Sequence, residues 1–297
     1  MTSPPSFAPD APWRIDRMRL AQFAERPVHD WTIDIVDETG STNADLMEQL
    51  RALPRDVTHR EPVVRVAYSQ TAGRGRRGRA WLAEPGNALL MSVGCVLKWP
   101  IEGLSGLSLA IGTAMLDALA HLPLSPSARL ALKWPNDVLL NDSKLAGILI
   151  ETAWNAPGVT AVVIGIGTNL HGAEQLAAQV DDANRQNTSF VPGTAPAALA
   201  RAWPDANLTD ALAAILNALD ATLARFETDS FRPFRQRWSD AHAYAGREVA
   251  LMDQGQEVTR GIAAGVDERG QLLIDTPEGT RTVATGELSL RLARERP

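Results

Sequence analysis

The sequence predicts an α+β protein in two unequal parts, a body of mixed strands and helices followed by a small all-β unit. Three observations predict it. Apolar runs of strand length alternate with helically spaced segments up to about residue 243. After Tyr244 the pattern changes to short strands separated by glycine turns. The chain has 297 residues, 45% hydrophobic and 22% charged, which is ordinary globular composition with enough length for a sizeable core. The expected division is an N-terminal extension over 1–30, a main domain over 31–243 and a C-terminal domain over 244–297.

Residues 1–30 begin proline-rich and then carry a short amphipathic piece over 17–24, too short for a helix-turn-helix domain with its own core. The stretch 31–36 reads as a strand. Ser41, Thr42 and Asn43 follow as a turn whose hydroxyls can cap a helix over 44–50. Residues 63–69 and the wholly apolar 88–97 read as strands on either side of a Gly/Arg loop. Helical spacing covers 104–120. Further strands are expected over 129–133, 138–140, 145–151 and 161–166, the first two flanking Trp134-Pro135-Asn136-Asp137. Residues 171–206 are rich in Ala, Asn and Pro without a firm period and read as an insertion of marginal order. Leu208, Leu212, Ile215, Leu216, Leu219, Leu223 and Phe226 then mark one face of a long helix. Short strands over 249–252, 258–266, 272–274, 280–283 and 288–290, with turns at 253–255, 267–270 and 277–279, have the size of an SH3-like barrel.

Charge and composition exclude several classes. Lys and Arg total 29 against 35 Asp and Glu, a net of −6, which argues against broad binding to nucleic acid or anionic membrane. The longest apolar stretch, 88–97, is shorter than the roughly 18 residues of a membrane span, and residues 1–30 lack a signal-peptide core, so a cytoplasmic protein is expected. Cys95 stands alone and reads as a core residue, and five scattered histidines lack zinc spacing, so no metal-ligand set is expected. The local exception in charge is 62–83, where Arg65, Arg74, Arg76, Arg77 and Arg79 occur with no acid between Glu61 and Glu84.

Gly73-Arg74-Gly75-Arg76-Arg77-Gly78 matches the dinucleotide string G-x-G-x-x-G, but the context fails. That motif needs a helix starting among its glycines, and here Pro85 and Gly86 follow too soon. A P-loop fails as well, because Arg79 and Ala80 stand where Lys and Ser or Thr are required. What remains is physical. Glycines allow close backbone approach, and four guanidiniums offer forked donors to phosphate oxygens. Their mutual repulsion predicts a loop that is mobile until an anion arrives. A solvated basic loop is the plain alternative.

Lys133-Trp134-Pro135-Asn136-Asp137 sets a strand-end lysine beside two short polar side chains, although taken alone an Asn-Asp turn between strands is the favoured reading. Lys144 heads the apolar run to Leu149, where Gly147 permits close approach; a snorkelling surface lysine is the alternative. Gly165, Gly167 and Asn169 close another apolar strand.

In chain order, Gly40-Ser41-Thr42-Asn43, the run from Gln70 to Trp81, Lys133-Trp134-Pro135-Asn136-Asp137, Lys144-Leu145-Ala146-Gly147-Ile148-Leu149 and Gly165-Ile166-Gly167-Thr168-Asn169 resemble the bacterial biotin protein ligases. The resemblance covers about 36–170 strongly, and the small C-terminal unit fits that family's second domain. It implies a mixed-sheet catalytic domain related to lipoyl ligases, with biotin, ATP and Mg²⁺ as ligands. It also implies a two-step reaction: biotin carboxylate attacks the ATP α-phosphate to give biotinyl-5′-AMP, and a lysine of a biotin carboxyl carrier protein, an acetyl-CoA carboxylase subunit, then takes the biotinyl group.

By the same resemblance Arg74 and Arg76 clamp phosphate and carboxyl oxygens, and Lys144 bridges the carboxyl and the α-phosphate. Asp137 positions or deprotonates the incoming lysine. Ser41, Thr42, Asn43 and Gln70 meet the ureido ring and nearby polar atoms. Gly73, Gly75, Gly147, Gly165 and Gly167 admit the ligand. Trp81 packs near the adenine or covers the closed loop, and Asn136 and Asn169 line the nucleotide side. Lys144→Ala is expected to impair adenylation with little change in thermal midpoint.

Two features depart from the family pattern. Only about 35 residues precede the catalytic strand, so no DNA-binding repressor domain is expected, and 171–203 is longer than the simple pattern, with Thr168 where an aliphatic residue is usual. Self-association into a homodimer is among the expectations. A lipoate or octanoate ligase of the same fold is the near rival, and a non-enzymatic nucleic-acid binder using the arginine loop the distant one.

Overall fold

The computed structural model describes residues 7–8, 11–57, 61–186, 194–253, 256–284 and 288–293. In chain order its body comprises α1 (Arg17–Phe23), α2 (Arg26–His29), β1 (Thr32–Thr39), α3 (Thr42–Arg51), β2 (Val63–Gln70) and β3 (Ala88–Leu97). Then come α4 (Leu107–Ala120), β4 (Leu130–Lys133), β5 (Asp137–Leu140), β6 (Ser143–Ala156) and β7 (Val159–Asn169). Helices α5 (Ala173–Gln186), α6 (Leu208–Asp229) and α7 (Arg235–Asp240) complete it. Seven strands form one sheet in the order β1-β2-β3-β7-β6-β5-β4. Only β1 and β2 run parallel; every other neighbouring pair is antiparallel, so the sheet is mixed, as expected.

The two faces of this sheet have opposite chemistry, and register decides which residue lies on which. Ser92 pairs with Gly165 and Leu90 with Gly167, while Leu149 and Gly147 pair with the same two glycines from the other side. Strand residues alternate between faces, so these six share one face. The alternate residues Leu89, Met91, Val93, Ile148, Ile164 and Ile166 are buried on the other face, in the core that also holds α4 and α6. Burying each such side chain contributes roughly 1.5–3 kcal/mol. On the first face α3 covers one half, seating Leu46, Met47 and Leu50 with Val63, Val96, Ala161 and Val163. The other half, which α3 does not cover, is paved with small residues, Gly147 and Gly167 among them.

Ile101–Ala120 is the helical stretch among the described residues long and apolar enough to cross a bilayer, but it is mostly buried within the fold. It begins as a 3₁₀ turn over Ile101–Leu104, so α4 proper starts at Leu107 rather than at 104. Strands β6 and β7 run well past their expected ends, because they pair with each other as one long hairpin closed at Gly158, whose φ is 75°. The expectation for 171–206 is corrected over its described part. Ala173–Gln186 is a helix, and Ala197, Leu199, Ala202 and Trp203 are buried. Backbone pairing that no local pattern announces holds the second half: Lys144 N donates to Ala195 O at 2.7 Å and Ala197 N to Lys144 O at 2.8 Å. Residues 187–193 lie outside the described residues, as do Gln254 and Gly255 of the expected turn.

The N-terminal residues pack on the body. Asp16 caps α1 by accepting from Met18 N and Arg19 N, and Leu20, Val28 and Trp31 are buried in the main core. After Tyr244, β8 (Glu248–Asp253), β9 (Gln256–Val266), β10 (Leu272–Thr276), β11 (Gly279–Val283) and β12 (Leu288–Leu292) form an antiparallel sheet of order β11-β10-β9-β8-β12, the SH3-like unit. Trp134, 1% exposed, donates its indole N–H to Gly270 O at 3.2 Å and so ties this unit to the body beside the motif that carries Asn136 and Asp137.

Candidate active site

A cleft of about 510 Å³ opens over the small-residue half of the sheet. The start of α3, the arginine loop, the ends of β4–β7, α5 and β12 all line it.

At one end the turn into α3 is held by side chains rather than by its own hydroxyls. Ser41 stands at the N-cap but makes no capping bond, contrary to expectation. Gln70 takes that role: its Oε1 accepts from Thr42 N at 2.8 Å and from Thr42 Oγ1 at 3.1 Å. Asn43 is buried and pinned. Its Nδ2 donates to Glu151 Oε2 at 2.8 Å and to Leu149 O at 3.3 Å, while Ser92 donates to its Oδ1 at 2.6 Å. Gly165 faces this amide, and a β-carbon there would lie 2.9 Å from Asn43 Cγ. Gly165 thus makes room for Asn43.

The arginine loop is a small hairpin. Arg74 bridges to Ala80, Gly75 N donates to Arg79 O at 2.7 Å and Trp81 N to Gly73 O at 2.9 Å, with Arg77 left-handed at φ 63°. The repulsion foreseen among its guanidiniums is offset by carboxylates from distant segments: Arg74 pairs with Glu151 at 3.2 Å and Arg77 with Asp253 of β8 at 3.7 Å. Arg76 Nη1 lies 3.5 Å from Asn136 Oδ1. Trp81 folds its indole onto Gly147 and Gly167, so in this arrangement the glycine strip expected to admit a ligand carries the protein's own ring. Lys144 Nζ sits 5.5 Å from that ring's centroid.

On the floor Asp137, at the head of β5, is held by Lys144 at 2.6 Å and Lys133 at 3.7 Å. Burial would raise its carboxyl, but the two ammonium groups outweigh that and keep it below the ordinary 3.8. Lys133 donates to Thr194 Oγ1 at 2.8 Å. Burial lowers its own pKa against the pull of Asp137, with Lys144, Arg291 and Arg79 pushing the same way as burial. Asn136 and Asn169 are tied to backbone. Asn136 Nδ2 donates to Ile148 O at 2.8 Å, and Asn169 Nδ2 donates to Ala197 O at 3.0 Å and Lys144 O at 3.3 Å. Asn169 thereby anchors the segment after residue 194 as well as lining the cleft.

Every site residue expected from the sequence except Gly73 lines this cleft, and Gly73 lies directly under Trp81 O at the base of the loop. Sequence reading passed over Ser92, Glu151 and Arg291, and noted Lys133 and Arg79 without giving them a place among the site residues. Ser92 was visible as the polar break in an apolar strand and Glu151 as the charge ending one. Arg291 gave no signal, because only folding brings β12 to the cleft.

Two comparisons decide the family. Residues 50–169 match the model of the Biotin/lipoate A/B protein ligase family and 244–291 that of the Biotin protein ligase C terminal domain. The biotin–[acetyl-CoA-carboxylase] ligase of Paracoccus denitrificans is 36% identical over 226 residues, spanning 75% of this chain and 88% of that protein. The chain belongs to the biotin protein ligase family. The Mycobacterium tuberculosis biotin–[acetyl-CoA-carboxylase] ligase is 35% identical over 257 residues, 86% of this chain and 88% of that one. A solved biotin protein ligase from Aquifex aeolicus, in complex with biotin and ATP, superposes with a TM-score of 0.67 at 28% identity, covering 88% of this chain and 99% of its own. Within a biotin protein ligase fold, the cleft therefore joins two environments: an amide-rich end around Asn43 and Gln70, and a cationic end around Lys133 and Lys144.

Proposed function

We propose that this cleft joins the carboxylate of biotin to ATP and passes the biotinyl group to a lysine of a carrier protein. The chain is a biotin–[acetyl-CoA-carboxylase] ligase, an acyl-adenylate-forming enzyme that uses biotin and ATP. One observation carries the site assignment. Among the described residues Arg74, Arg76, Arg77, Arg79, Lys133, Lys144 and Arg291 line the cleft with a single acid, Asp137, so the site suits a polyanion beside an amide-lined wall.

In the first step a carboxylate oxygen of biotin forms a bond to the α-phosphorus while the bond to the β-phosphate oxygen breaks, releasing pyrophosphate. Two unit charges at 4 Å repel by about 4 kcal/mol at an effective dielectric near 20, roughly a thousandfold in rate. Lys144 and Arg76 offset that repulsion as charge builds on the transferring group. In the second step the lysine amine attacks the acyl carbon, AMP leaves, and the amine loses a proton. Asp137 is a weak base for that proton, because two ammonium groups hold it ionised. Its fitting role is to orient Lys144. The loop and Trp81 shield the acyl-adenylate from water.

Mg²⁺ accompanies ATP in this reading. Among the described residues no group of three or more His, Cys, Asp or Glu could hold a metal, and the cleft carboxylate is engaged by two lysines. The donors present do not make a magnesium cage, and the ion would be held by the nucleotide's own phosphate oxygens. The acceptor is the carrier subunit of a carboxylase, reached in the cytoplasm, and with a net charge of −6 the reading includes no role at DNA.

Pyrophosphate exchange with biotin, lipoate and octanoate, each alone, tests the substrate. Exchange with biotin and a biotinyl-adenylate retained by the enzyme on mass analysis are expected; exchange with lipoate alone would overturn the assignment.

A further inference from the structure

Glu151 stands on β6 outside every motif that pointed to the site, yet it touches the two sides of the cleft that must act together. Oε2 accepts from Asn43 Nδ2 at 2.8 Å, and the carboxylate also takes Arg74 Nη2 at 3.2 and 3.3 Å. We propose that Glu151 is a positioning residue that fixes which end of the Asn43 amide is presented to biotin and ties that amide to the closed arginine loop.

The chemistry follows from what each neighbour can do. An ionised carboxylate and a backbone carbonyl only accept hydrogen bonds, so with Glu151 and Leu149 O on one side the amide nitrogen must face them. The amide oxygen is then forced toward Ser92, which donates to it. Both amide protons are committed and the oxygen keeps one lone pair. Asn43 is thereby set to accept from a ligand N–H, the donor a ureido ring carries and an aliphatic or dithiolane acyl chain lacks. Gly165 supplies the space the amide occupies, since a β-carbon there would fall 3.0 Å from Nδ2. A glutamine at 151 keeps the size but can donate as well as accept, so it releases the amide to turn over and loses the charge that holds Arg74.

This inference rests on the biotin reading above, and the test separates the two. KM for biotin, KM for ATP and kcat are measured by pyrophosphate exchange on the full chain for the wild type, Glu151→Gln, Glu151→Asp, Asn43→Ala and the Asn43→Ala/Glu151→Gln pair. The expected result is a tenfold to hundredfold rise in the KM for biotin in Glu151→Gln, larger than the change in kcat or in the KM for ATP that release of Arg74 brings. Glu151→Asp keeps the acceptor-only character and should recover part of the loss. In the Asn43→Ala background, Glu151→Gln should add less than threefold, because it acts through Asn43. An unchanged KM for biotin in Glu151→Gln, or fully additive effects in the pair, overturns the positioning role while leaving the enzyme a biotin ligase. No exchange with biotin by the wild type overturns the biotin reading and this inference with it.

Discussion

Gly167 lacks a side chain where Trp81 needs the space: a β-carbon there would fall 2.6 Å from Cζ2 and 2.8 Å from Nε1 of the indole. Gly147 stands in the same relation to Cζ3, at 2.9 Å. This ring helps seat the arginine loop on the sheet beside the Arg74–Glu151 pair, and Trp81 N also closes the hairpin on Gly73 O. Gly167→Ala should therefore unseat the loop and slow adenylation on the order of 10²-fold. In a Trp81→Ala background the added methyl has nothing to strike and should cost little more. Pyrophosphate exchange in the two single variants and the double variant measures this, and equal losses in both backgrounds would refute it.

Arg76 is the loop guanidinium that faces Asn136 and the Asp137 floor. Arg76→Ala should lower kcat for adenylate formation about 10²–10³-fold, the usual cost of losing one positioned donor to transition-state charge. Arg76→Lys should recover only part of it, because an ammonium lacks the planar fork. Single-turnover formation of biotinyl-adenylate is the direct measurement.

Lys144→Ala should abolish measurable adenylation, as the sequence suggests, but the expectation of an unchanged thermal midpoint is revised. The variant strips a buried carboxylate of its nearest cation, the ammonium at 2.6 Å, leaving Lys133 at 3.7 Å. The loss should be about 3 kcal/mol at pH 7, the low end for breaking a buried pair because Lys133 remains. Asp137 then has a raised pKa in the folded variant, so the penalty should shrink as the pH falls toward that value. Lys144→Ala/Asp137→Asn should regain stability without activity. Urea unfolding at pH 7 and pH 5 checks both statements.

His242 is 5% exposed, lies tilted against Trp238 with centroids 4.7 Å apart, and has neither ring nitrogen bonded among the described residues. Burial lowers its pKa from 6.5 to about 4. Between those values the unfolded chain binds a proton that the folded chain does not, so stability falls as pH falls through that window, by about 3 kcal/mol in all. His242→Phe should remove this dependence, raising the melting temperature at pH 5 more than at pH 8. Equal shifts at the two pH values would count against it.

The site was legible where chemistry is local. Lys144, Arg74, Arg76, Asn43 and Gln70 stood out because charge, glycine and short amides are conspicuous in runs that otherwise alternate or stay apolar. Glu151 and Arg291 did not stand out, because each ends or sits within a strand whose register gives it meaning. The ion pairs of the arginine loop were not legible for a related reason: Glu151 and Asp253, which offset its charge, lie far away in sequence.

The sequence by itself determined the apolar alternation that builds the two sheets, the switch to short strands after Tyr244, and the cationic loop that demands an anion. Tertiary structure alone decided which glycines face which side chains, that Gln70 rather than Ser41 caps α3, that 194–197 lies beside Lys144, and that β12 reaches the cleft. Composition and periodicity are properties of neighbours along the chain, whereas strand register and the pairing of buried charges depend on residues up to a hundred positions apart or more being brought within a few ångströms.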